Sequence, residues 1–384
     1  MFLISIISAI IIFSIIVLIH ECGHYFSAKR HGVKVEEFGL GLPPKAKVLW
    51  KNKEGTEFTL NWIPFGGFVR MFGENSSKIR EKGSFGAVSI LGRMEIVLAG
   101  VFMNFILAWG ILIFLFVIGT KPIILSKDDF TKYQNEGFIV MNEKFDGVKI
   151  LNEPQNFLVL NNEKNENFFQ KGDLILQING EKVSDAKKFI ELQKKFLSQK
   201  TDKISYQILR DGRGINLEIQ TSEIQKNGGK LGIAISSKPG IKEIKDIKLG
   251  FFDAVIFSFS ECFRISISTV KMFGEMMQNL FTKGTMPDGV SGPVGIAKAT
   301  GGFVEAGDFN GVLKFMALIS LSLAVVNVLP IPALDGGRFM FLLVEALIRR
   351  PLSASLEMYV NLFGYLFLMG LLIFVTIKDI FNLF

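Results

Sequence analysis

His20-Glu21-Cys22-Gly23-His24 sets two imidazoles four residues apart with a carboxylate between them, at the end of an uncharged apolar run from Phe2 to Ile19. At about 100° per residue of helix, His20 and His24 fall about 40° apart, so both face one point. Glu21 stays close enough to act as base toward a water activated by a metal held there. A bare His-Glu-x-x-His also arises by chance, and the setting adds the weight: ionisable residues abutting an apolar segment of bilayer length are costly and mark function. The run lacks the basic residues in front and the small-residue cleavage site behind that would make it a signal peptide. The chain has three histidines, two of them here. The residues read as a zinc hydrolase site built into a membrane.

A catalytic zinc takes three protein ligands and keeps a position open. His31, Cys262 or a carboxylate could be the third. His31, beside Lys29, Arg30 and Gly32, reads as an exposed juxtamembrane residue, and Cys262 falls in a segment expected on the opposite side of the membrane. The search passes to carboxylates at the cytosolic ends of the other spans. Asp335 ends the third apolar run, inside Asn327-Val328-Leu329-Pro330-Ile331-Pro332-Ala333-Leu334-Asp335-Gly336-Gly337. Two prolines and a glycine pair are expected to break the helix, which membrane depth tolerates only where protein or a water-filled cavity satisfies the freed backbone. Cys22, about 200° around the helix from His20, reads as packing. Two distant cysteines make no disulfide framework.

The elements that must position these residues are mostly membrane spans. Of 384 residues, 49% are hydrophobic and 21% charged, the balance of a polytopic α-helical membrane protein with a soluble insert. Phe2–Ile19, Ile96–Thr120, Phe315–Leu334 and Met358–Ile377 can each cross, or nearly cross, the ~30 Å hydrocarbon layer. Lysine and arginine crowd the segment after the first span (Lys29, Arg30, Lys34, Lys45, Lys47, Arg70, Arg80, Arg93) and the short turn between spans three and four (Arg349, Arg350), while the N-terminus has none. Those two loops are therefore expected in the cytosol, with both termini and the long segment between spans two and three outside. The net charge of +7 is mostly this topogenic charge and implies no nucleic acid.

That long segment turns polar from about Ser126 to Lys238. Its second half predicts a strand at Asp173–Ile178, an Asn179-Gly180 turn, a helix at Asp185–Gln199, and a hairpin of Lys203–Leu209 and Ile215–Gln220 around Asp211-Gly212. This is a small α+β domain, and Lys171-Gly172-Asp173-Leu174-Ile175-Leu176-Gln177-Ile178-Asn179-Gly180 resembles the core strand of PDZ domains, which bind peptides by strand addition. From Phe251 to Phe281, Asp253, Glu261, Arg264, Lys271 and Glu275 project within an arc of about 80° on an otherwise apolar helix, which suits a helix on the outer membrane surface or against the bundle rather than a fifth span. On the cytosolic side Glu57–Met71 predicts a hairpin broken by Pro64 and Gly66-Gly67 and anchored by Trp62 and Phe65 at the headgroups. Its edge could hold an unwound substrate by backbone hydrogen bonds, with Pro64, Gly66, Gly67, Phe68, Val69, Arg70 and Met71 the candidate residues.

These residues resemble the site-2 proteases, intramembrane zinc metalloproteases, and in particular the bacterial PDZ-containing branch typified by the regulator of sigma-E protease. His20-Glu21-x-x-His24 matches the first motif of that family and Asn327-x-x-Pro330-x-x-x-x-Asp335-Gly336 the second, about three hundred residues apart. Phe38-Gly39-Leu40-Gly41 and Pro64–Met71 look like its membrane-associated β-hairpin region, Ala99-Gly100-x-x-x-Asn104 like its second-span signature, and Ser291-Gly292-Pro293-Val294-Gly295-Ile296-Ala297 like a segment before its third span. The resemblance implies Zn2+ bound by His20, His24 and Asp335, Glu21 as general base, and Asn327 near the substrate. It also implies four transmembrane helices in a bacterial inner membrane, an active site toward the cytosol, and single-span membrane proteins as substrates, such as anti-sigma factors or leftover signal peptides. Val101 stands where a proline is common, and the insert has room for one PDZ-like domain where well-known members carry two. Two other classes fit the chain less well: a transporter with a broken third span, against which no paired broken helices are seen, and a PDZ scaffold without catalysis, against which Glu21 is intact.

Overall fold

In the computed structural model, residues 2–74, 81–141, 147–152, 168–199, 201–237, 241–284 and 291–381 are described. In chain order the elements are α1 (Phe2–Arg30), β1 (Val35–Lys51), β2 (Glu57–Met71), α2 (Ile90–Ile118), α3 (Lys127–Asn135), β3 (Ile139–Met141), β4 (Val148–Ile150), β5 (Leu174–Ile178), β6 (Glu181–Lys182), α4 (Ala186–Ser198), β7 (Lys203–Arg210), β8 (Arg213–Gln220), α5 (Thr221–Lys226), β9 (Ile235–Ser236), β10 (Ile241–Ile244), α6 (Phe251–Lys283), α7 (Pro293–Glu305), α8 (Phe309–Val328), α9 (Asp335–Ile348) and α10 (Ala354–Phe381). They fall into two compact units, Met1–Ser126 with Asp246–Phe384, and Lys127–Lys245.

Among the described residues, four helices are long and apolar enough to cross a membrane: Ile4–Arg30, Ile90–Ile118, Phe309–Val328 and Ser355–Phe381. On α1, Ala9, Ile12, Ile16, His20 and His24 are buried while Ile4, Ile7, Ile11, Ile15 and Leu18 lie exposed, the helical stripe of an element with protein on one side and lipid on the other. Packing between apolar helices in lipid relies on close approach at small residues. At Gly23 a β-carbon would run into the backbone of Ala99 and Gly100 on α2, so these two helices touch at the level of the motif.

Helices α2 and α8 start earlier than their apolar runs suggest, because charges near their ends find partners. Arg93 in α2 pairs with Glu345 of α9 at 3.1 Å, both buried, and Lys314 in α8 reaches the Lys121 carbonyl at 2.8 Å. The third span ends at Val328, six residues before the expected Leu334. Pro330 and Pro332 follow, Ala333 has a left-handed φ of 71°, and Asp335 opens a separate helix, α9, inside what reads in the sequence as a short turn. Asn361 of α10 holds this break by accepting from the Ala333 N–H at 3.1 Å.

Two ion pairs anchor α9. Arg338 lies over the Phe85 ring, 4.8 Å from its centroid, and pairs with Glu74 just after β2. Glu345 takes Arg93 and the Leu352 N–H. Glu345→Ala leaves the buried Arg93 guanidinium without its counter-charge, so we expect a loss of about 3–5 kcal/mol. A lower unfolding temperature of the detergent-solubilised chain, largely recovered in an Arg93→Met/Glu345→Leu double variant, checks this.

β1 and β2 each fold back on themselves, so two strands make four arms: 35–42 runs antiparallel to 67–71 and alongside 57–61 in the same direction, and 45–51 runs antiparallel to 57–61. Phe38 lies between Val69 and Phe58, Gly39 between Phe68 and Thr59, and Leu40 between Gly67 and Leu60, while Lys47, Val48 and Trp50 pair with Leu60, Thr59 and Phe58. The arm order is 45–51, 57–61, 35–42, 67–71, which puts residues 67–71 at one edge. Val35, Phe38, Val69 and Met71 bury their side chains with Ala28, Ile96, Val97 and Leu342, fixing the sheet to α1, α2 and α9.

α6 packs against α2 and α8, with the Trp109 Nε1–H donating to the Val255 carbonyl at 3.1 Å. Its Phe252, Ile256, Phe259, Phe263 and Ile267 stay exposed. Glu261 is buried, and Arg264, paired with it, donates to the Ile123 carbonyl, so part of the charged stripe faces protein. In the second unit, sheet order β8-β7-β5-β4-β9 with α4 encloses a core that includes Ile175, Ile178, Phe189, Leu192, Tyr206 and Ile208. Asn179 and Gly180, and Asp211 and Gly212, all have positive φ, as two-residue hairpin turns require. Asp185 caps α4 by accepting from the Lys188 N–H at 2.8 Å. Asp173, in the Lys171-Gly172-Asp173 stretch, accepts from Nε and Nη2 along one edge of the Arg210 guanidinium at 2.8 and 2.7 Å.

Candidate metal centre

The i, i+4 spacing on α1 brings His20 and His24 side by side, with their Nε2 atoms 3.2 Å apart. The break after α8 delivers Asp335 to the same point, where its Oδ2 lies 3.1 Å from His20 Nε2 and 3.4 Å from His24 Nε2. Among the described residues this is the one group of three or more His, Cys, Asp or Glu side chains placed to hold a metal ion. Three lone-pair atoms this close repel one another unless a cation or proton lies between them, and Asp335 Oδ2 is buried without a hydrogen bond. With ligand bonds of about 2.0–2.1 Å, a tetrahedral zinc has ligand–ligand edges of about 3.3 Å. The observed 3.1–3.4 Å matches, and two imidazoles with one carboxylate are an established donor set for a hydrolytic zinc.

The surroundings aim the ligands. The Ile96 carbonyl takes the Nδ1–H of His24 at 2.8 Å, which leaves the Nε2 lone pair for the metal. Gly100 is where both rings rest on α2: a β-carbon there would sit 2.7–2.8 Å from the Cε1 and Nε2 of His20, so only glycine leaves room. Asn104, fully buried, places its Nδ2 3.4 Å from His20 Nδ1.

Glu21, one residue along α1, lies in the field of His20, His24, Asp335 and Glu74. Its Cγ lies against Gly67 of the sheet edge, where a β-carbon would come within 3.3 Å. Of the hairpin residues named from the sequence, Gly66 turns the chain with φ 78°, and Gly67, Phe68, Val69, Arg70 and Met71 pair through one edge with β1. Val69 and Met71 point into the apolar cluster and Arg70 pairs with Glu37, so their side chains are engaged within the protein. The Pro64 side chain lies outside the described residues. Asn327 is half-buried in the last turn of α8. His31 is apart from the centre, with Nε2 2.8 Å from Glu95, and Cys262 is buried in α6.

Reading the sequence did not find the Ile96 carbonyl, the seat at Gly100, or the two ion pairs that fix α9. The first two depend on which residue of α2 faces α1. The third left a signal, since Arg93 and Glu345 are charges in or beside apolar runs and such residues call for partners.

The family model for peptidase family M50 matches residues 8–371. A protein of Clostridium perfringens is 34% identical over 378 residues, covering 98% of each chain. One of Clostridium acetobutylicum is 32% identical over 391 residues, covering 98% of this chain and 97% of its own. A third, of Nostoc sp., is 30% identical over 382 residues, covering 98% and 95%. Each carries the name "Putative zinc metalloprotease". With a family match across nearly its whole length and relatives of this identity, the chain belongs to peptidase family M50, the site-2 zinc metalloproteases.

Proposed function

We propose that this protein cuts single-span membrane proteins within their transmembrane segments, using zinc held by His20, His24 and Asp335 with Glu21 as general base. The observation that carries the reading is the convergence of three ligand atoms at 3.1–3.4 Å on helices that are long and apolar enough to lie in a bilayer or are bound directly to ones that are. Zinc, when bound, lowers the pKa of a water toward about 7 and polarises the scissile carbonyl. Glu21 takes the proton of the attacking water and returns it to the leaving amine. A helical substrate must first unwind, since a carbonyl in the helix ladder is shielded from attack. The edge of residues 67–71, with Gly67 against Glu21, offers backbone groups that an unwound segment can pair with regardless of its side chains. Asn327 is the second candidate contact.

The lysine and arginine distribution supports a cytosolic face for β1, β2 and the metal centre, with both termini and the insert outside, in a bacterial inner membrane. In this organisation residues 1–125 hold the first zinc motif and the hairpin sheet, 126–240 a PDZ-like domain that binds a peptide, 241–312 the amphipathic segment, and 313–384 the last two spans with the second motif. Anti-sigma factors and signal-peptide remnants are the substrates this reading favours. Cleavage of a single-span protein by the purified chain, lost on chelation and restored by zinc, tests it.

The insert then filters substrates rather than catalysing. Thr120 and Ile247 exchange both backbone hydrogen bonds, at 3.1 and 2.8 Å, so the chain ends flanking the insert already meet and Lys127–Lys245 can be replaced by a short linker. We expect the deleted form to keep cleaving a short, pre-trimmed substrate and to admit one with a bulkier outer domain. Loss of the short-substrate activity in a zinc-loaded deletion protein would make the insert a required binding element.

A further inference from the structure

The second-span motif Gly100-x-x-x-Asn104 plays no part in the proton and metal chemistry of the proposed cleavage, yet it lies against the ligands. Ile96, Gly100 and Asn104 recur every four residues and share the buried face of α2. Ile96 supplies the acceptor for His24, and Gly100 makes space for both rings. Asn104 Nδ2 stands 3.4 Å from His20 Nδ1. Its Oδ1 is buried without a partner, and its backbone carbonyl accepts the Ser320 hydroxyl at 2.8 Å.

Both imidazoles turn Nε2 toward Asp335, so a metal takes them at Nε2 and each Nδ1 must carry the ring proton. A protonated Nδ1 donates and needs an acceptor. The amide NH2 facing it is also a donor. Turning the amide by 180° about its last side-chain bond exchanges its oxygen and nitrogen while the rest of the residue stays in place, and Oδ1 then accepts from Nδ1–H.

We propose that Asn104 is a positioning residue for His20: with zinc bound, its amide oxygen accepts the His20 Nδ1–H and holds the ring in the tautomer and orientation that present Nε2 to the metal. His20 and His24 are thereby aimed by two acceptors on one face of α2, one a side-chain amide and the other a main-chain carbonyl. The inference rests on the proposed zinc site.

The test is zinc affinity of the full-length chain in detergent, by competition with a chromophoric chelator, for Asn104→Leu, Asn104→Ala and Asn104→Asp, with unfolding of the zinc-free proteins in parallel. Losing an outer-shell acceptor costs about 10–100-fold in metal affinity. Leu and Ala should show that loss, while Asp, a stronger acceptor, should bind within roughly threefold of wild type or tighter. Packing alone would give the opposite order, since Leu fills the same volume and a buried carboxylate without a donor is the worst occupant. Wild-type affinity in Asn104→Leu, or a fall in Asn104→Asp as deep as in Asn104→Leu, overturns the role. If Asn104→Leu does not fold, Asn104→Ala against Asn104→Asp makes the same comparison. Wild-type protein that takes up no zinc would remove the metal site itself, an outcome distinct from failure at Asn104 alone.

Discussion

Glu21→Gln should bind zinc as the parent does and cut nothing measurable. The substitution keeps the side-chain volume beside Gly67 and leaves His20, His24 and Asp335 untouched. It removes only the group that takes the proton of the attacking water. Positioned acid–base groups contribute about 10²–10⁴-fold, and Glu21 serves both steps, so turnover should fall to at least the upper part of that range. Metal content by mass spectrometry and cleavage of a single-span substrate are read on the same preparation. Near-normal turnover by a folded, zinc-loaded Glu21→Gln protein would rule out Glu21 as the general base and end the proposed protease mechanism.

The second large effect is expected at Asp335. Asp335→Ala should lose both zinc and activity, because two imidazoles alone leave the ion without the third protein ligand that a catalytic zinc takes. The experiment is clean because α9 does not depend on this carboxylate for its place: Arg338 with Glu74, and Glu345 with Arg93, anchor the helix from later turns. The loss should exceed the 10–100-fold that removal of an outer-shell partner costs. His31→Ala is the control, since His31 pairs with Glu95 at 2.8 Å and should change neither reading. Stoichiometric zinc in Asp335→Ala would return His31 to consideration.

How much of the fold and the site is legible in the sequence depends on how local each determinant is. The His-Glu-x-x-His spacing needs only helix geometry. The helix at Asp185–Gln199 is legible to within its caps because Asp185 signals its own N-terminus, and the Asn-Gly and Asp-Gly turns name their conformation. The spans are legible too, but the starts of the second and third come out late: an uncharged-run criterion stops at Glu95 and Lys314, whereas each of these charges has a partner elsewhere in the fold. The four-armed sheet is half visible. Its pairing of 35–42 with both 57–61 and 67–71 is nonlocal, and Pro43-Pro44 and the lysines of β1 mask a strand pattern. Helix α9 escapes the sequence because its 14 residues are too few to span a bilayer and follow a proline-rich break, and its anchors, Arg93 and Glu74, lie far away in the chain.

Where the cut falls separates a protease that works inside the bilayer from one that works beside it. The purified chain, reconstituted in vesicles with a single-span substrate, is treated with chelator and then with added zinc, and the intact masses of the products locate the severed bond. One or a few cuts are expected inside the apolar segment, absent in chelator, restored by zinc, and absent throughout with Glu21→Gln. Cuts confined to the flanking polar residues, or cleavage inside the segment that persists without metal, would contradict intramembrane zinc proteolysis by this chain.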